Sequence, residues 1–427
     1  MKSVPFSSVR SYILIISFCI ISGSVGYQFG QKNSIPSLNK SNQPVVNTEN
    51  ISGETVDFSL FWTVWKRLSQ TYIDRATMDS QKMVYGAISG MVSALGDPYT
   101  MFLPPKDNQD FKDELGGQFE GIGAQLGIKD STIMVVAPLK DNPAEKAGIK
   151  AGDYILKVDG EDTSGWTVAQ AVTKIRGPRG TTVKLTILHE KESKTTEVSI
   201  VRNTINVNSV DSWIKTPFEI KEISGIASIK NLLSSSKKVA YIRLSRFGDR
   251  TNDEWDKAVS EVASLYGKDP SLKGLIFDLR NNPGGYLEGA VYIGSEFIKS
   301  GNVVSQQNSN GSKEDYPVVR KGKLMDIPVI VLVNKGSASA AEIVAGALRD
   351  YNRGKLVGEV TFGKGSVQTP EDLPGGAGIH ITTGKWLLPK GDWIHKKGVT
   401  PDVLVEMEST DATSDAQLAK AVELLLQ

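Results

Sequence analysis

The sequence predicts an α/β core with an inserted β-rich module, a helical segment before that module and a single N-terminal transmembrane anchor. Three patterns lead to this fold class. Apolar residues recur at three- and four-residue spacing over residues 56–95, short β-branched runs separated by Gly, Pro and Asp fill residues 115–203, and apolar strands alternate with amphipathic helices from there on. A chain of 427 residues is long enough for about three domains.

The composition excludes several classes of function. The chain has 49 Lys and Arg against 48 Asp and Glu, so its net charge of +1 offers no electrostatic attraction for nucleic acid. One cysteine excludes an intramolecular disulfide and a thiolate zinc site, and three histidines disfavour a histidine-rich metal site. Any catalysis is therefore expected to depend on serine, lysine and carboxylates.

Residues 1–30 have the pattern of an export signal. Lys2 and Arg10 precede an uncharged stretch over residues 11–31, which is long enough to cross a bilayer once. Because no clean Ala-x-Ala cleavage site follows, an uncleaved signal anchor is favoured, and a cleaved signal peptide is the alternative. Residues 31–54, rich in Asn, Ser, Pro and Gln, then predict a flexible linker to domains outside the cytoplasm, in the periplasm or the extracellular space.

Residues 55–112 are predicted to form an N-terminal helical region. Two amphipathic helices are indicated, and the second ends at the breaker sequence Gly96-Asp97-Pro98. An aromatic stripe on the first helix is interpreted as a packing or subunit interface rather than a ligand site. The stripe consists of Phe58, Phe61, Trp62 and Trp65.

Residues 113–203 have the texture of a small β-rich domain with a helix near residues 167–175. Three features occur in order: the Gly-rich turn Gly121-Ile122-Gly123, an Asn-Pro-Ala-Glu motif and this helix. With this order, residues 113–203 resemble a bacterial PDZ domain. The resemblance implies that the turn presents backbone amides to the C-terminal carboxylate of a peptide, and that the peptide pairs with the next strand. The alternative is that the two glycines only form a tight turn.

Arg176 follows the predicted PDZ helix in the sequence Ile-Arg-Gly-Pro-Arg-Gly. Its guanidinium is a candidate to bind the peptide carboxylate or the next domain, and so to couple peptide binding to catalysis. A solvated loop arginine is the alternative interpretation.

Residues 204–405 predict the α/β core, and residues 406–427 a C-terminal helical tail. Thr251 and Glu254 have the spacing of a capping box at the start of the first core helix. The predicted strands cover residues 239–244, 274–279, 329–334, 356–359 and 379–386, and the predicted helices cover residues 251–267, 287–299 and 338–353.

Ser339 is the first candidate for chemistry. It follows the buried strand at residues 329–334 and a Lys-Gly-Ser-Ala turn, and it lies at the start of a helix. A helix N-terminus offers unpaired amides and a positive dipole, so the Ala340 amide is placed to stabilise an oxyanion formed next to Ser339. Taken alone, an N-cap role for Ser337 or Ser339 is the simpler explanation.

Lys364 is the second candidate, in the sequence Thr-Phe-Gly-Lys-Gly-Ser-Val-Gln. An exposed lysine has a pKa of about 10.4 and is a poor base at neutral pH, whereas burial lowers that pKa. A buried Lys364 is then able to accept the Ser339 hydroxyl proton, as in the Ser-Lys form of a nucleophile and base pair. A surface lysine in a turn is the alternative.

A third motif, at residues 274–285, is a buried strand that ends in Asn-Asn-Pro-Gly-Gly. The two glycines allow a backbone amide to approach a substrate carbonyl closely, so Gly284 or Gly285 is a candidate for a second oxyanion donor.

Two other enzyme classes fit the sequence poorly. Residues 358–365 match seven positions of a phosphate-binding loop but have glycine where Ser or Thr is required, and the sequence has no Gly-x-Ser-x-Gly elbow of a His-based hydrolase.

Five motifs occur in order along residues 56–405. They are Leu95-Gly-Asp-Pro-Tyr-Thr100, the PDZ signature, Arg280-Asn-Asn-Pro-Gly-Gly285, Gly336-Ser-Ala-Ser-Ala-Ala-Glu342 with residues 358–368, and Gly398-Val-Thr-Pro-Asp402. With them the sequence resembles the carboxyl-terminal processing peptidases, also called tail-specific proteases.

The resemblance implies a ClpP/crotonase-like core of βα layers, a PDZ-containing serine peptidase and no cofactor. The matching positions are Ser339 for the nucleophile, Lys364 for the general base, Gln368 for the residue that orients the lysine, Gly285 and Ala340 for the oxyanion amides, and Asp350 for a supporting acid.

Two departures from the family accompany these matches. Ala341 stands where serine is usual, a change expected to be harmless, and residues 205–238 are longer than the usual connection between PDZ domain and core. Gln368 is one helical turn from Lys364 but about 13 Å away in an extended segment, so contact between the two requires a turn.

The expected function is that of an extracytoplasmic serine endopeptidase anchored in the membrane. Its PDZ groove captures the free, apolar C-terminus of a protein, and cleavage proceeds through an acyl-enzyme. The family's pairing through terminal helices also predicts a homodimer. The alternative is a catalytically inactive or resting relative that acts as a membrane-tethered PDZ scaffold.

Overall fold

The computed structural model describes residues 56–129, 131–139, 141–189, 192–406 and 414–427. The predicted anchor and linker, residues 1–54, lie outside the described residues. Within those ranges, no helix has both the length and the apolar character needed to cross a bilayer. The chain divides into two compact units, one up to Asp79 and one from Ser80 onward.

The described part of the first unit contains a helix with an aromatic stripe. Helix α1 (Ser59–Thr71) is followed by a short 3-10 helix, Arg75–Thr77. The ring of Phe61 lies 5.0 Å from that of Trp62 and 6.0 Å from that of Trp65, centroid to centroid. The predicted spacing therefore gathers these rings on one side of the helix.

The second unit begins with a helical segment that joins the core through one strand. Helices α2 (Ser80–Ser93) and α3 (Pro105–Gly116) flank strand β1 (Met101–Leu103). Val92 of α2 and Phe102 of β1 are buried in a small apolar cluster that also contains Ala377.

The β-rich module is an antiparallel sheet with its own core of Ile, Val and Leu side chains. Its elements are β2 (Gln118–Gly121), β3 (Ala124–Lys129), β4 (Thr132–Pro138), α4 (Pro143–Lys146), β5 (Tyr154–Val158), β6 (Glu161–Asp162), α5 (Val168–Ile175), β7 (Thr182–Leu188), β8 (Thr196–Val201) and β9 (Asn203–Asn206). The chain enters and leaves through the two-stranded ribbon of β2 and β9, in which Gln118 pairs with Asn206. The module is therefore an insertion. The order of its sheet is β3-β4-β5-β7-β8, so β3 is an edge strand.

The remaining elements form the core. They are β10 (Val210–Lys215), β11 (Lys238–Leu244), α6 (Thr251–Tyr266), β12 (Leu272–Asp278), α7 (Leu287–Gly294), β13 (Asn302–Asn308), β14 (Lys313–Pro317), β15 (Val329–Val333), α8 (Ala340–Asp350), β16 (Lys355–Gly358), β17 (Ser366–Asp372), β18 (Gly378–Leu387), β19 (Val403–Leu404) and α9 (Ala416–Leu426).

The main core sheet has apolar layers on both faces. Its order is β10-β11-β12-β15-β16-β19, and every neighbouring pair is parallel except β10 and β11. Side chains alternate between the faces, so Leu275 and Phe277 pack with α6, α7 and α8, whereas Ile276 packs with α9. Because the strands are parallel, the segments after β12, β15 and β16 all leave the same edge of the sheet.

A second sheet connects the N-terminal segment to the core. Its order is β1-β18-β13-β14, and β17 also pairs with β18. In the antiparallel pair of β1 and β18, Met101 lies opposite His380 and Leu103 opposite Gly378. This pairing fixes residues 96–100 beside the core.

The helix predicted over residues 287–299 is too long, because α7 ends at Gly294. The next residues turn inward, since the buried Glu296 carboxylate needs hydrogen-bond donors and accepts the amides of Lys323 and Leu324. Residues 205–238 are also more than a connection. They contain β10 and short 3-10 turns whose isoleucines are buried in the layer that contains α9.

The capping box predicted for α6 does not form. Glu254 instead accepts the amide of Ser209 at 2.6 Å, the hydroxyl of Ser209 at 2.8 Å and the amide of Val210 at 3.2 Å. The carboxylate therefore fixes the point where the chain returns from the inserted module to the core.

Glu254→Gln is expected to lower the free energy of unfolding by about 1–3 kcal/mol, because the three hydrogen bonds to Oε2 lose their charge assistance and an amide NH2 group replaces the oxygen that lies 3.1 Å from Arg250 Nη2. Urea denaturation followed by tryptophan fluorescence measures this loss. The matched control is Glu261→Gln, an exposed site on the same helix. Equal stability of the two variants would contradict the role of the Glu254 carboxylate in fixing this return point.

Candidate active site

Ser339 lies at the junction of β15 and α8. It is the N-cap residue of α8, with φ 53° and ψ −116°, a combination outside the regions that L-residues ordinarily occupy. Strain of this kind is typical of functional sites. The preceding turn is held by Ser337, whose hydroxyl donates to the Leu279 carbonyl at 2.8 Å.

The Gly-Gly turn after β12 lies directly against Ser339. A Cβ built on Gly284, whose φ is 102°, would lie 2.8 Å from the Ser339 Cβ and 3.0 Å from the Ala340 amide nitrogen. Glycine is required for so close an approach. The two turns are also joined by the amide of Ala338, which donates to the Asn282 carbonyl at 2.9 Å.

The structure shows which of the two glycines, Gly284 or Gly285, has a backbone amide available as the second oxyanion donor. The Gly284 amide donates to the Asn282 side chain at 2.8 Å. Among the described residues, the amides of Gly285 and Ala340 have no acceptor. These two N–H groups are therefore available to a ligand at the N-terminus of α8, where the helix dipole favours negative charge.

A buried ion-pair network supports the end of β12. Arg280 Nη2 lies 2.6 Å from Asp278 Oδ2 and 2.8 Å from Asp415 Oδ2. Tyr241 donates to the same Asp278 carboxylate at 2.7 Å. Because Asp415 is the N-cap of α9, this network joins the C-terminal helix to the turn that holds the glycines.

Glu342 joins the serine helix to the lysine loop. Its fully buried carboxylate accepts the amides of Gly363 at 2.7 Å and Lys364 at 2.9 Å. It also accepts the Ser339 amide at 2.9 Å and the Thr361 hydroxyl. Burial raises the pKa of Glu342, although these four hydrogen bonds act against the rise.

Glu342 is not among the site residues predicted from the sequence. Its signal was the capping-box spacing of a Ser followed three residues later by Glu. That spacing explains the contact with the Ser339 amide, but the contacts with the lysine loop come from a segment about twenty residues away and have no local signature.

Lys364 lies in a partly buried pocket beside Ser339's helix. Its Nζ is 5.3 Å from the centroid of the Tyr99 ring. Burial lowers the pKa of Lys364, while the charges of Asp97 and Glu342 act in the opposite direction. Within the described ranges, no hydrogen bond joins Nζ to the Ser339 hydroxyl.

Gln368 does not contact the lysine amine. It lies on β17, so the chain between it and Lys364 runs into an extended strand rather than a helical turn. Its side-chain amide donates to Ser366 Oγ at 2.9 Å and to Thr382 Oγ1 at 3.1 Å.

Asp350 lies at the far end of α8, about 16 Å along the helix from Ser339. It is buried, accepts the Lys390 amide at 3.1 Å and pairs with Arg349. Its contacts are therefore structural. In the part of the chain that the structure describes, no group of three His, Cys, Asp or Glu side chains is placed to hold a metal ion.

The predicted peptide-binding residues lie together at one end of β3. Gly121-Ile122-Gly123 leads from β2 into this edge strand, and among the described residues the amides of Ile122 and Gly123 have no acceptor. Arg176 is exposed beside them, with its guanidinium 4.5 Å from the centroid of the Phe119 ring. Unpaired amides and a nearby cation suit a carboxylate.

Three family models match the chain in succession. They are the activating protease CtpB N-terminal domain over residues 20–106, the PDZ domain over residues 109–188 and peptidase family S41 over residues 238–405. The Bacillus subtilis carboxy-terminal processing protease CtpA is 36% identical over 367 residues, which cover 86% of this chain and 72% of the relative. The chain belongs to the carboxy-terminal processing proteases of peptidase family S41.

Two further comparisons agree with this family. A carboxy-terminal-processing protease of Bartonella bacilliformis is 35% identical over 365 residues, which cover 84% of this chain and 78% of the relative. A solved structure from Bacteroides fragilis, described as an S41 protease, has a TM-score of 0.55 over 87% of this chain and 98% of its own, at 16% identity, and shows the shared fold. The resemblance predicted from the sequence, a PDZ-containing serine peptidase, is confirmed.

Glu342→Gln is expected to lower kcat at least about tenfold with little change in KM, because small misplacements of reacting groups are costly and Glu342 places both Ser339 and Lys364. Initial rates of hydrolysis of a fluorogenic peptide measure both constants. Glu371→Gln, at an exposed site on β17, is the matched control. A variant with unchanged kcat would rule out the alignment role.

Gly284→Ala is expected to lower kcat about a hundredfold or more, the effect of losing an oxyanion donor, because its Cβ would displace Ser339 or Ala340. Gly391→Ala is the control, since Gly391 also has a left-handed φ, 91°, but has nothing within 4 Å of a built Cβ. Equal loss of activity in both variants would assign the effect to backbone strain instead.

Proposed function

We propose that the protein cleaves polypeptides through Ser339 and Lys364 after its PDZ domain has bound their free, apolar C-termini. The observation that carries the proposal is the Glu342 carboxylate, which accepts the backbone amides of both residues at 2.9 Å. This contact keeps a strained serine beside a lysine whose pKa is lowered by burial.

The first half of the reaction forms an acyl-enzyme. Neutral Lys364 Nζ accepts the proton of Ser339 as Oγ bonds to the scissile carbonyl carbon, and the carbonyl electron pair moves onto oxygen. The amides of Gly285 and Ala340 donate to this oxyanion. When the carbon–nitrogen bond breaks, the Lys364 ammonium returns the proton to the leaving amine.

The second half of the reaction regenerates the serine. Lys364, neutral again, accepts a proton from water as the water oxygen attacks the acyl carbon, and Ser339 leaves with that proton. Closure of the hydrogen bond between Nζ and the Ser339 hydroxyl is required first. In the described conformation no hydrogen bond joins these two groups.

Gln368 and Asp350 support this machinery in different ways. Gln368 reaches the lysine pocket through Thr382, and a turn of the segment before β17 would be needed for it to bond Lys364 directly. Asp350 keeps the end of α8 in place through the Lys390 amide. Neither side chain takes part in proton transfer.

Substrate capture is proposed to occur at the loop before β3. A peptide adds to this edge strand, and its terminal carboxylate accepts the amides of Ile122 and Gly123, with Arg176 as the counter-charge. The relatives' description as carboxy-terminal processing proteases supports this choice of substrate end.

Membrane anchoring and pairing remain predictions from the sequence. The uncharged stretch over residues 11–31 supports a single anchor, which places residues 56–427 outside the cytoplasm. The aromatic stripe of α1 supports a homodimer that pairs through terminal helices.

Ser339→Ala and Lys364→Ala are each expected to lower kcat/KM at least about a thousandfold, because nucleophile and base act as one unit. The full chain in detergent is incubated with an unfolded protein that ends in a free apolar C-terminus, and products are identified by mass spectrometry. Activity that survives in either variant would reject the Ser-Lys mechanism.

Amidation of the substrate C-terminus is expected to slow cleavage about tenfold to a hundredfold, because a charge-assisted contact with the carboxylate is lost. Arg176→Ala should reduce the difference between the two substrates. If the parent protein binds the free C-terminus but never cleaves, the scaffold function replaces the peptidase function.

A further inference from the structure

Residues 97–100 form part of the lysine pocket, although they precede the PDZ domain and belong to the helical segment. Lys364 Nζ lies over the face of the Tyr99 ring, 5.3 Å from the ring centroid. The Tyr99 ring also lies next to His395, at 6.1 Å between ring centroids and 73° between ring planes. His395 in turn stacks on Trp393, at 5.1 Å and 8°. The three rings form an aromatic wall beside the lysine.

The aromatic wall is tied to the lysine loop through Trp393 and is braced through Tyr99 within residues 97–100. Trp393 Nε1 donates to the Gly365 carbonyl at 2.8 Å, one residue after the lysine. At the other end, the Asp97 carboxylate accepts the Tyr99 amide at 3.1 Å and the Thr100 hydroxyl at 2.7 Å. The wall therefore has a fixed position relative to Lys364.

Thr100 links residues 97–100 to β18, the strand that contains Thr382, a hydrogen-bond partner of Gln368. Its Oγ1 accepts the amide of Thr382 at 3.0 Å, and Thr382 Oγ1 accepts the Gln368 amide at 3.1 Å. A continuous chain of hydrogen bonds thus runs from Gln368 to Asp97. This chain holds Tyr99 against the lysine without any direct bond from Gln368 to Lys364.

We propose that Tyr99 is a positioning residue for the general base, whose ring keeps water from the Lys364 amine, and that Asp97 holds the ring in place and supplies the opposing negative charge. The proposal rests on the proposed role of Lys364 as base. Because neither residue bonds to Ser339 or lies in the oxyanion turn, their effect on the reaction passes through the lysine.

The two side chains act on the lysine with opposite signs. A ring face solvates an ammonium less well than water does, so the wall favours the neutral amine, although its cation–π attraction offsets part of this effect. The Asp97 carboxylate favours the ammonium. Burial outweighs the charges of Asp97 and Glu342, since the pKa of Lys364 is lowered overall.

Three other titratable groups near the lysine have shifted pKa values. Burial and the charge of Lys364 lower the pKa of His380, so this imidazole loses its proton at a lower pH than an ordinary histidine does. Burial and the charges of Glu342 and Asp97 raise the pKa of Tyr99. Hydrogen bonds from Thr100 and neighbours outweigh burial and lower the pKa of Asp97, which stays ionised.

The test is the pH dependence of Ser339 labelling by a fluorophosphonate, measured on the full chain in detergent by intact mass. This reaction needs the base but no peptide in the PDZ groove. Tyr99→Ala is expected to shift the acid limb of the rate profile to higher pH by about one unit. This shift corresponds to a rate about tenfold lower at pH 7. Tyr99→Phe should keep the wild-type limb.

Asp97→Asn is expected to move the acid limb in the other direction, to lower pH, with Asp107→Asn on α3 as the matched control. Tyr266→Ala is the control for tyrosine truncation. If Tyr99→Ala fails to fold, Tyr99→Leu keeps the bulk of the wall and should leave the limb at or below the wild-type pH, and Asp97→Asn still tests the charge.

Shifts of opposite sign in Tyr99→Ala and Asp97→Asn would establish the proposal. A rate that falls by the same factor at every pH, or an unshifted limb in both variants, would overturn it and leave residues 97–100 as ordinary structure. The proposed function fails separately, if Lys364→Ala still labels Ser339 at the wild-type rate.

Discussion

A lysine serves as a general base near neutral pH only when its pKa lies well below the ordinary lysine value, and in this protein burial of the amine lowers the pKa. This requirement governs the architecture of the site. Burial lowers the pKa of Lys364, and the two nearest negative groups do not cancel that effect. Both are already occupied by donors of the protein: Asp97 by the Tyr99 amide and the Thr100 hydroxyl, and Glu342 by backbone amides. A direct ion pair would favour the ammonium and disable the base.

The same requirement explains why distant parts of the chain meet here. The lysine loop follows β16, the serine turn follows β15 and the Gly-Gly turn follows β12, so the parallel sheet delivers all three to one edge. Glu342 then fixes the first two to each other, and four donors compensate the cost of burying its carboxylate. The third is held through Arg280, whose partner Asp415 belongs to the C-terminal helix.

The features that the sequence predicts well are those with local signals. The buried strand before Ser339, the turn that leads to the serine and the Gly-Gly turn each carry their pattern within about a dozen residues. The features it misses depend on long-range contacts. Glu254 has the spacing of a helix cap but binds Ser209, Gln368 is one helical turn from the lysine in sequence but lies on a strand, and Tyr99 reaches the pocket only because β1 pairs with β18. None of these contacts follows from periodicity or spacing.

The most direct test of this account is the pKa of the Lys364 amine in the folded protein. It is measured by an NMR pH titration of 13C-labelled lysine side chains in the Ser339→Ala background, which prevents self-digestion, with Lys364→Arg used to assign the signal. The account predicts a titration clearly below the ordinary lysine range of about 10.4, and a return to that range when the protein is denatured. A folded-state value at or above 10.4 would contradict it, because an ammonium at neutral pH is unable to accept the serine proton.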